Sequence, residues 1–174
     1  MEIRTSKIKN ESGQLIGRAV AFNSASHDLG GFVEIIEPTA FDNHLSKSPD
    51  IRALYEHDGK DLLGRTSSGT LNVTKHDDGI HVEITPPDTR AGKDCIELVS
   101  RGDINGMSFG FIAKRDRWNW NAKPLPIRYV VEAELREVTV TATPAYSASS
   151  VALRSLAEHK REGTDALWLK YFEV

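Results

Sequence analysis

Gly106-Met107-Ser108-Phe109-Gly110-Phe111 is the stretch from which the rest of the chain is read. It alternates large apolar and small residues, and successive side chains of a strand point to opposite faces. Met107, Phe109, Phe111 and Ala113 therefore share an apolar face that belongs against a core, while Gly106, Ser108, Gly110 and Ile112 share the other. Glycine inside a strand weakens it and marks a bulge or the close approach of another backbone. Ser108 thus carries a hydroxyl whose same-face neighbours have no side chains, which leaves room for an incoming chain. Taken alone, such a pattern is more often a polar residue on a barrel strand, with glycines at a bend. The choice depends on what surrounds it.

Just before this strand, residues 88–99 place Ala91, Cys95, Leu98 and Val99 at helical spacing, with Asp88 or Thr89 as the cap. Beyond it, Trp118-Asn119-Trp120 and Pro124 and Pro126 read as a loop, followed by strands at 129–135 and 137–142. The alternation of those two strands changes phase near Leu135-Arg136, which predicts a bulge or bend. Further upstream, residues 69–75 and 80–85 form a hairpin about Asp77-Asp78-Gly79, and residues 2–9 and 14–22 another about Glu11-Ser12-Gly13. Residues 32–37 and 50–55 are short strands, 39–45 is a helical turn, and 23–31 is an exposed loop.

Downstream, residues 147–158 read as a second helix and 164–174 as a short terminal one, separated by a charged hinge. The expected domains are a body over residues 1–158 and a tail over 159–174. Many short strands without regular β-α alternation predict a mainly β (α+β) fold. Its expected form is a closed or partly open β-barrel of about seven strands with two or three surrounding helices.

The chain has 174 residues, enough for one domain with a real core, and a net charge of −3 that gives no reason to expect nucleic acid or an anionic membrane as partner. Cys95 stands alone, so neither an internal disulfide nor a cysteine-based metal site is available. The N-terminal residues lack the apolar core of a signal peptide, and no apolar run is long enough to span a bilayer. The expected location is the cytoplasm. Phosphate-binding glycine loops are absent.

Six histidines are present, at 27, 44, 57, 76, 81 and 159. His57 differs from the others because it closes the apolar strand Ala53-Leu54-Tyr55 just before Asp58-Gly59, where a side chain is held yet reachable. A surface turn histidine would look the same. On the last strand Glu137, Thr139 and Thr141 face away from Val138 and Val140, so Glu137 heads a polar face, with Glu134 as its nearby competitor. A serine hydroxyl needs a base to remove its proton, and a third group to fix the base's tautomer. His57, Ser108 and Glu137 supply those three types, although spacing alone does not bring them together. A metal site using His57 and Asp58 with His27 or His76 lacks ligand spacing, so neither metal nor cofactor is expected.

Several short runs, in order, resemble the prohead maturation proteases of tailed phages of the HK97 type over roughly residues 1–153. They are Gly17-Arg18-Ala19-Val20-Ala21-Phe22, Glu37-Pro38-Thr39-Ala40-Phe41, Leu54-Tyr55-Glu56-His57-Asp58 and Leu63-Gly64-Arg65. The resemblance continues through residues 101–111, Leu135-Arg136-Glu137-Val138-Thr139-Val140 and Pro144-Ala145. It implies a serine endopeptidase with the fold of the herpesvirus assembly proteases, a β-barrel ringed by helices. The family's histidine falls on His57 and its serine on Ser108. The second histidine of the herpesvirus relatives has no counterpart between His81 and His159, which leaves Glu137 as the candidate third member.

The implied substrate is the scaffolding region of the phage major capsid protein, with self-cleavage and self-association also expected. The implied place is the immature prohead in the host cytoplasm. The competing readings are a catalytically inactive β-barrel that scaffolds assembly, and a metal-dependent hydrolase.

Overall fold

A computed structural model describes residues 8–142. The helices expected at 147–158 and 164–174, and the tail, lie outside the described residues. Nine strands and two helices follow in chain order. They are β1 (Ile8–Glu11), β2 (Gln14–Ala21), β3 (Val33–Ile36), α1 (Asp42–Leu45), β4 (Arg52–Tyr55), β5 (Asp58–Arg65), β6 (Leu71–His76), β7 (Gly79–Ile84), α2 (Arg90–Arg101), β8 (Gly106–Asn119) and β9 (Ile127–Thr141). The molecule is mainly β, as its alternating strands require.

The strands do not close into a barrel. They form a four-stranded sheet, β1-β2-β7-β6, and a five-stranded sheet built on β9. The alternation that marks each strand specifies one buried face, and two packed sheets satisfy that as well as a barrel does. Closure depends on edge pairing, which the hydrophobic pattern does not encode. The strand number also exceeds the expectation, since 58–65 is a full strand, and β8 runs on through Trp118 and Asn119, where the sequence pattern predicts a loop.

In the first sheet Gly79 opens β7 with φ +156°, directly against β2. A Cβ there would lie 1.9 Å from the Val20 carbonyl oxygen, so the Asp-Asp-Gly turn needs glycine for close approach as well as for backbone freedom. In the second sheet β8 runs antiparallel along the whole of β9. Along its other edge β9 takes β3 in parallel through residues 127–130, then β4 in parallel through 137–140. The predicted phase change is present: Gly110 pairs with Glu137 and Phe111 with Leu135, which leaves Arg136 as the extra residue of a bulge. The two segments expected there are one bent strand.

One cluster of buried side chains joins both sheets and α2. It includes Val20, Ile80 and Val82 from the first sheet, Ala53, Leu135, Val138 and Val140 from the second, and Cys95 from the helix. Phe41, fully buried, meets Phe109 and Phe111 edge-on at 6.5 and 6.3 Å, contacts worth about 0.5–1.5 kcal/mol each beyond their area. This anchors the apolar face of β8 and turns Ser108 toward the opposite face. The far end of the sheet holds a buried ion cluster. Arg128 donates to Glu34 at 3.0 Å and Asp116 at 2.7 Å, and burial holds the Glu34 carboxyl above its usual range against the pull of Arg128.

Candidate functional site

Three strands of the second sheet, in the spatial order β4, β9, β8, bring the candidate residues together. Val138 and Val140 of β9 point into the core, so Glu137, Thr139 and Thr141 point to the other face. Across the β8–β9 ladder Ser108 stands opposite Thr139 and Gly110 opposite Glu137. Directly opposed side chains of an antiparallel pair lie on one face, their Cβ atoms roughly 4.5–5.5 Å apart. Ser108 is 5% exposed and Thr139 is fully buried.

His57 enters from the other side. Tyr55 pairs with Asp58, so Glu56 and His57 are the two central residues of the tight β4–β5 turn. Both have positive φ, +50° and +58°. A two-residue hairpin of this hand requires that conformation, which Asn-Gly normally supplies. The turn carries the His57 ring over β9, where Nδ1 lies 2.9 Å from Glu137 Oε1 and 3.3 Å from Thr139 Oγ1. A carboxylate only accepts, so Nδ1 carries the proton and Nε2 of the neutral ring keeps its lone pair. Arg52, opposite Glu137 in the parallel register, approaches the second carboxylate oxygen at 3.8 Å.

The structure thus joins His57 to Glu137 directly, and sets Ser108 beside Thr139 on the same face. Among the described residues no hydrogen bond links the Ser108 hydroxyl to the ring. Such bonds are commonly long in the ligand-free state and tighten when substrate binds. Glu134, the competing carboxylate, is engaged elsewhere. It pairs with Lys114 at 3.0 Å and with Arg136, and the Lys114 hydrogen bond is the main cause that holds its carboxyl below the usual range. The bulge at Arg136 separates its register from that of Glu137.

His44, His76 and His81 make their contacts with other residues. His44 Nε2 is 2.9 Å from the Leu135 carbonyl oxygen; the His76 and His81 rings meet at a tilt of 56° with centroids 4.5 Å apart, and His81 Nε2 is 2.9 Å from Asp78 Oδ1. No group of three His, Cys, Asp or Glu side chains among the described residues is arranged to hold a metal ion.

Sequence reasoning missed three contacts. Thr139 touches the ring, whereas its alternation marked it only as polar. The Glu56 carboxylate accepts from Thr141 Oγ1 at 2.6 Å and from the Ala142 N–H at 2.7 Å. Gly110 was expected to clear a path beside Ser108, yet the space above it is filled by Glu137: a Cβ at 110 would lie 2.8 Å from Glu137 Cγ. The glycine makes room for the carboxylate that meets His57. A signal for this was present in the paired ladder, since a glycine opposite a long side chain is a place for that chain to lie.

The arrangement supplies a hydroxyl, a neutral imidazole and a carboxylate that fixes the imidazole tautomer, which are the parts of nucleophilic acyl transfer. The family model described as caudovirus prohead serine protease matches residues 1–162 of the chain. No curated protein and no solved structure matches.

Proposed function

Given that the chain belongs to the caudovirus prohead serine protease family, we propose that Ser108 is its nucleophile, His57 its general base and Glu137 the carboxylate that orients the base. The observation that carries this reading is the 2.9 Å contact between His57 Nδ1 and Glu137 Oε1, made on the sheet face that bears Ser108. Ser108 Oγ attacks the scissile carbonyl carbon while His57 Nε2 takes the hydroxyl proton. The imidazolium, steadied by Glu137, returns that proton to the departing amine and leaves an acyl-enzyme. Water then attacks, again giving its proton to Nε2, and the acid product leaves with Ser108 restored.

The substrate in this proposal is the scaffolding region of the phage major capsid protein, with the enzyme's own chain as a second substrate. The reaction takes place inside the immature prohead in the host cytoplasm. No helix among the described residues is long and apolar enough to cross a membrane. Labelling with a fluorophosphonate, which traps an activated serine, tests the assignment together with capsid-protein cleavage. Wild type is expected to label at Ser108. Ser108→Ala is expected to remain folded while losing roughly 10⁴–10⁶ in rate, as nucleophile knockouts do. Near-normal cleavage by Ser108→Ala would end the serine-protease assignment. A folded wild type that neither labels nor cleaves would favour a scaffolding role.

A further inference from the structure

The turn that carries His57 is built from residues ill suited to it. Glu56 and His57 both occupy the left-handed region, where a side chain crowds its own backbone and glycine or asparagine is preferred. Strained backbone of this kind persists where surrounding contacts over-determine it. Here those contacts converge on Glu56. Its N–H donates to the Val140 carbonyl at 3.0 Å. Its carboxylate accepts from Thr141 Oγ1 at 2.6 Å and from the Ala142 N–H at 2.7 Å. Bonds to an ionised acceptor are the stronger class.

All three bonds end on residues 140–142, immediately after Glu137 and Thr139, which hold the His57 ring. The end of β9 thus grips the backbone of the turn through residue 56 and the half-exposed base through residue 57. The ring can keep its 2.9 Å contact only while the turn keeps its left-handed course, because the preceding residue sets the direction from which the side chain leaves.

We propose that Glu56 is a positioning residue for the reaction. Its carboxylate clamps the β4–β5 turn to the end of β9 and so aims His57 at Glu137. This rests on the assignment of His57 as base. The role does not require Glu56 to touch substrate. It explains why an acidic side chain occupies a turn position where glycine would be less strained.

Two substitutions separate aiming from mere stability. Glu56→Gly removes the clamp and also relieves the strained φ, so the fold loses little. Glu56→Gln keeps an oxygen for the Ala142 N–H, and its amide can donate to the Thr141 hydroxyl, which accepts as well as donates. The probe is an alkyl fluorophosphonate, read as its maximal inactivation rate and its apparent affinity separately. Glu56→Gly is expected to lower the maximal rate by about tenfold or more, as displaced catalytic geometry does. Its affinity for the probe and its melting temperature should stay near wild type, and Glu56→Gln should recover most of the rate. A wild-type rate in Glu56→Gly overturns the proposal. So does a loss that tracks lowered stability and is not rescued by Gln.

The His57 Nδ1–H proton resonance, recorded in a Ser108→Ala background, gives a readout that needs no turnover. Glu56→Gly should shift it upfield as the bond to Glu137 weakens, and an unchanged resonance overturns the proposal. Failure of wild type to label would instead remove the protease assignment, with the resonance still deciding the role of Glu56.

Discussion

Gly110→Ala tests the site through a residue that does no chemistry. The backbone of Gly110 is outside the left-handed region, so alanine fits its conformation. The conflict lies in space: the new Cβ would be 2.8 Å from Glu137 Cγ, 3.2 Å from Cδ and 3.3 Å from Oε1. An ordinary contact is 3.4–4 Å, so the carboxylate arm must withdraw by about 0.6–1.2 Å. The arm is partly exposed and can move. It moves at the expense of a 2.9 Å hydrogen bond to His57, which a further ångström breaks. Misplacement on that scale costs about 100-fold in rate, or roughly 2.7 kcal/mol of barrier. Stability should change by less than about 1 kcal/mol, since the clash is relieved by one flexible side chain. The assay is fluorophosphonate labelling at Ser108 beside thermal unfolding. Wild-type labelling by folded Gly110→Ala, with Glu137→Gln strongly impaired, would refute the reasoning that the glycine houses the carboxylate.

Other outcomes follow from the same geometry. An imidazole base is lost on protonation, so kcat/KM should fall on acidification, and activity that does not fall in acid would count against His57. Glu137→Gln should slow the enzyme clearly while Glu134→Gln, whose carboxylate serves Lys114 and Arg136, should do little, and the reverse order in a rate assay would move the third role to Glu134. Burial pushes the Cys95 thiol up to about 12 from 9.0, so iodoacetamide at pH 8.5 should modify it only after denaturation. The folded value lies above the unfolded one, so this stabilising contribution is complete below about pH 9 and is lost as pH rises toward 12, which titration of unfolding free energy would detect. Arg128→Met leaves the buried Glu34 carboxylate without the cation it pairs with and should cost about 3–5 kcal/mol in denaturant unfolding at pH 8. The deficit should shrink in acid, where the Glu34 carboxyl, already held above its usual range by burial, can fold protonated, and a deficit independent of pH would contradict the ion-cluster account.

What the sequence disclosed follows from what alternation and turn chemistry encode. Asp77-Asp78-Gly79 placed the β6–β7 hairpin, Thr89 capped α2 as one of two candidates, and the phase change at Leu135-Arg136 became a bulge. Each depends on neighbours a few residues apart. The separation into two open sheets depends on which edges pair, and no local pattern states that. For the same reason Ser108, His57 and Glu137 could be named as residue types, while the meeting of His57 with Glu137 depended on a parallel pairing of β4 with β9 across 80 residues of chain. Glu56 escaped notice because its value lies in a backbone conformation that glutamate rarely adopts.

The position of β9 at the end of the described chain sets a schedule for the ribosome. This strand receives β3, β4 and β8, all of which are synthesised before it. His57 precedes Glu137 by 80 residues, so at translation rates of 5–20 residues per second the nascent chain carries the imidazole for roughly 4–16 s before its carboxylate exists. Ser108 is likewise made before the strand that seats it beside Thr139. A growing polypeptide therefore holds every candidate group except the one around which the others are arranged, until β9 itself has been made.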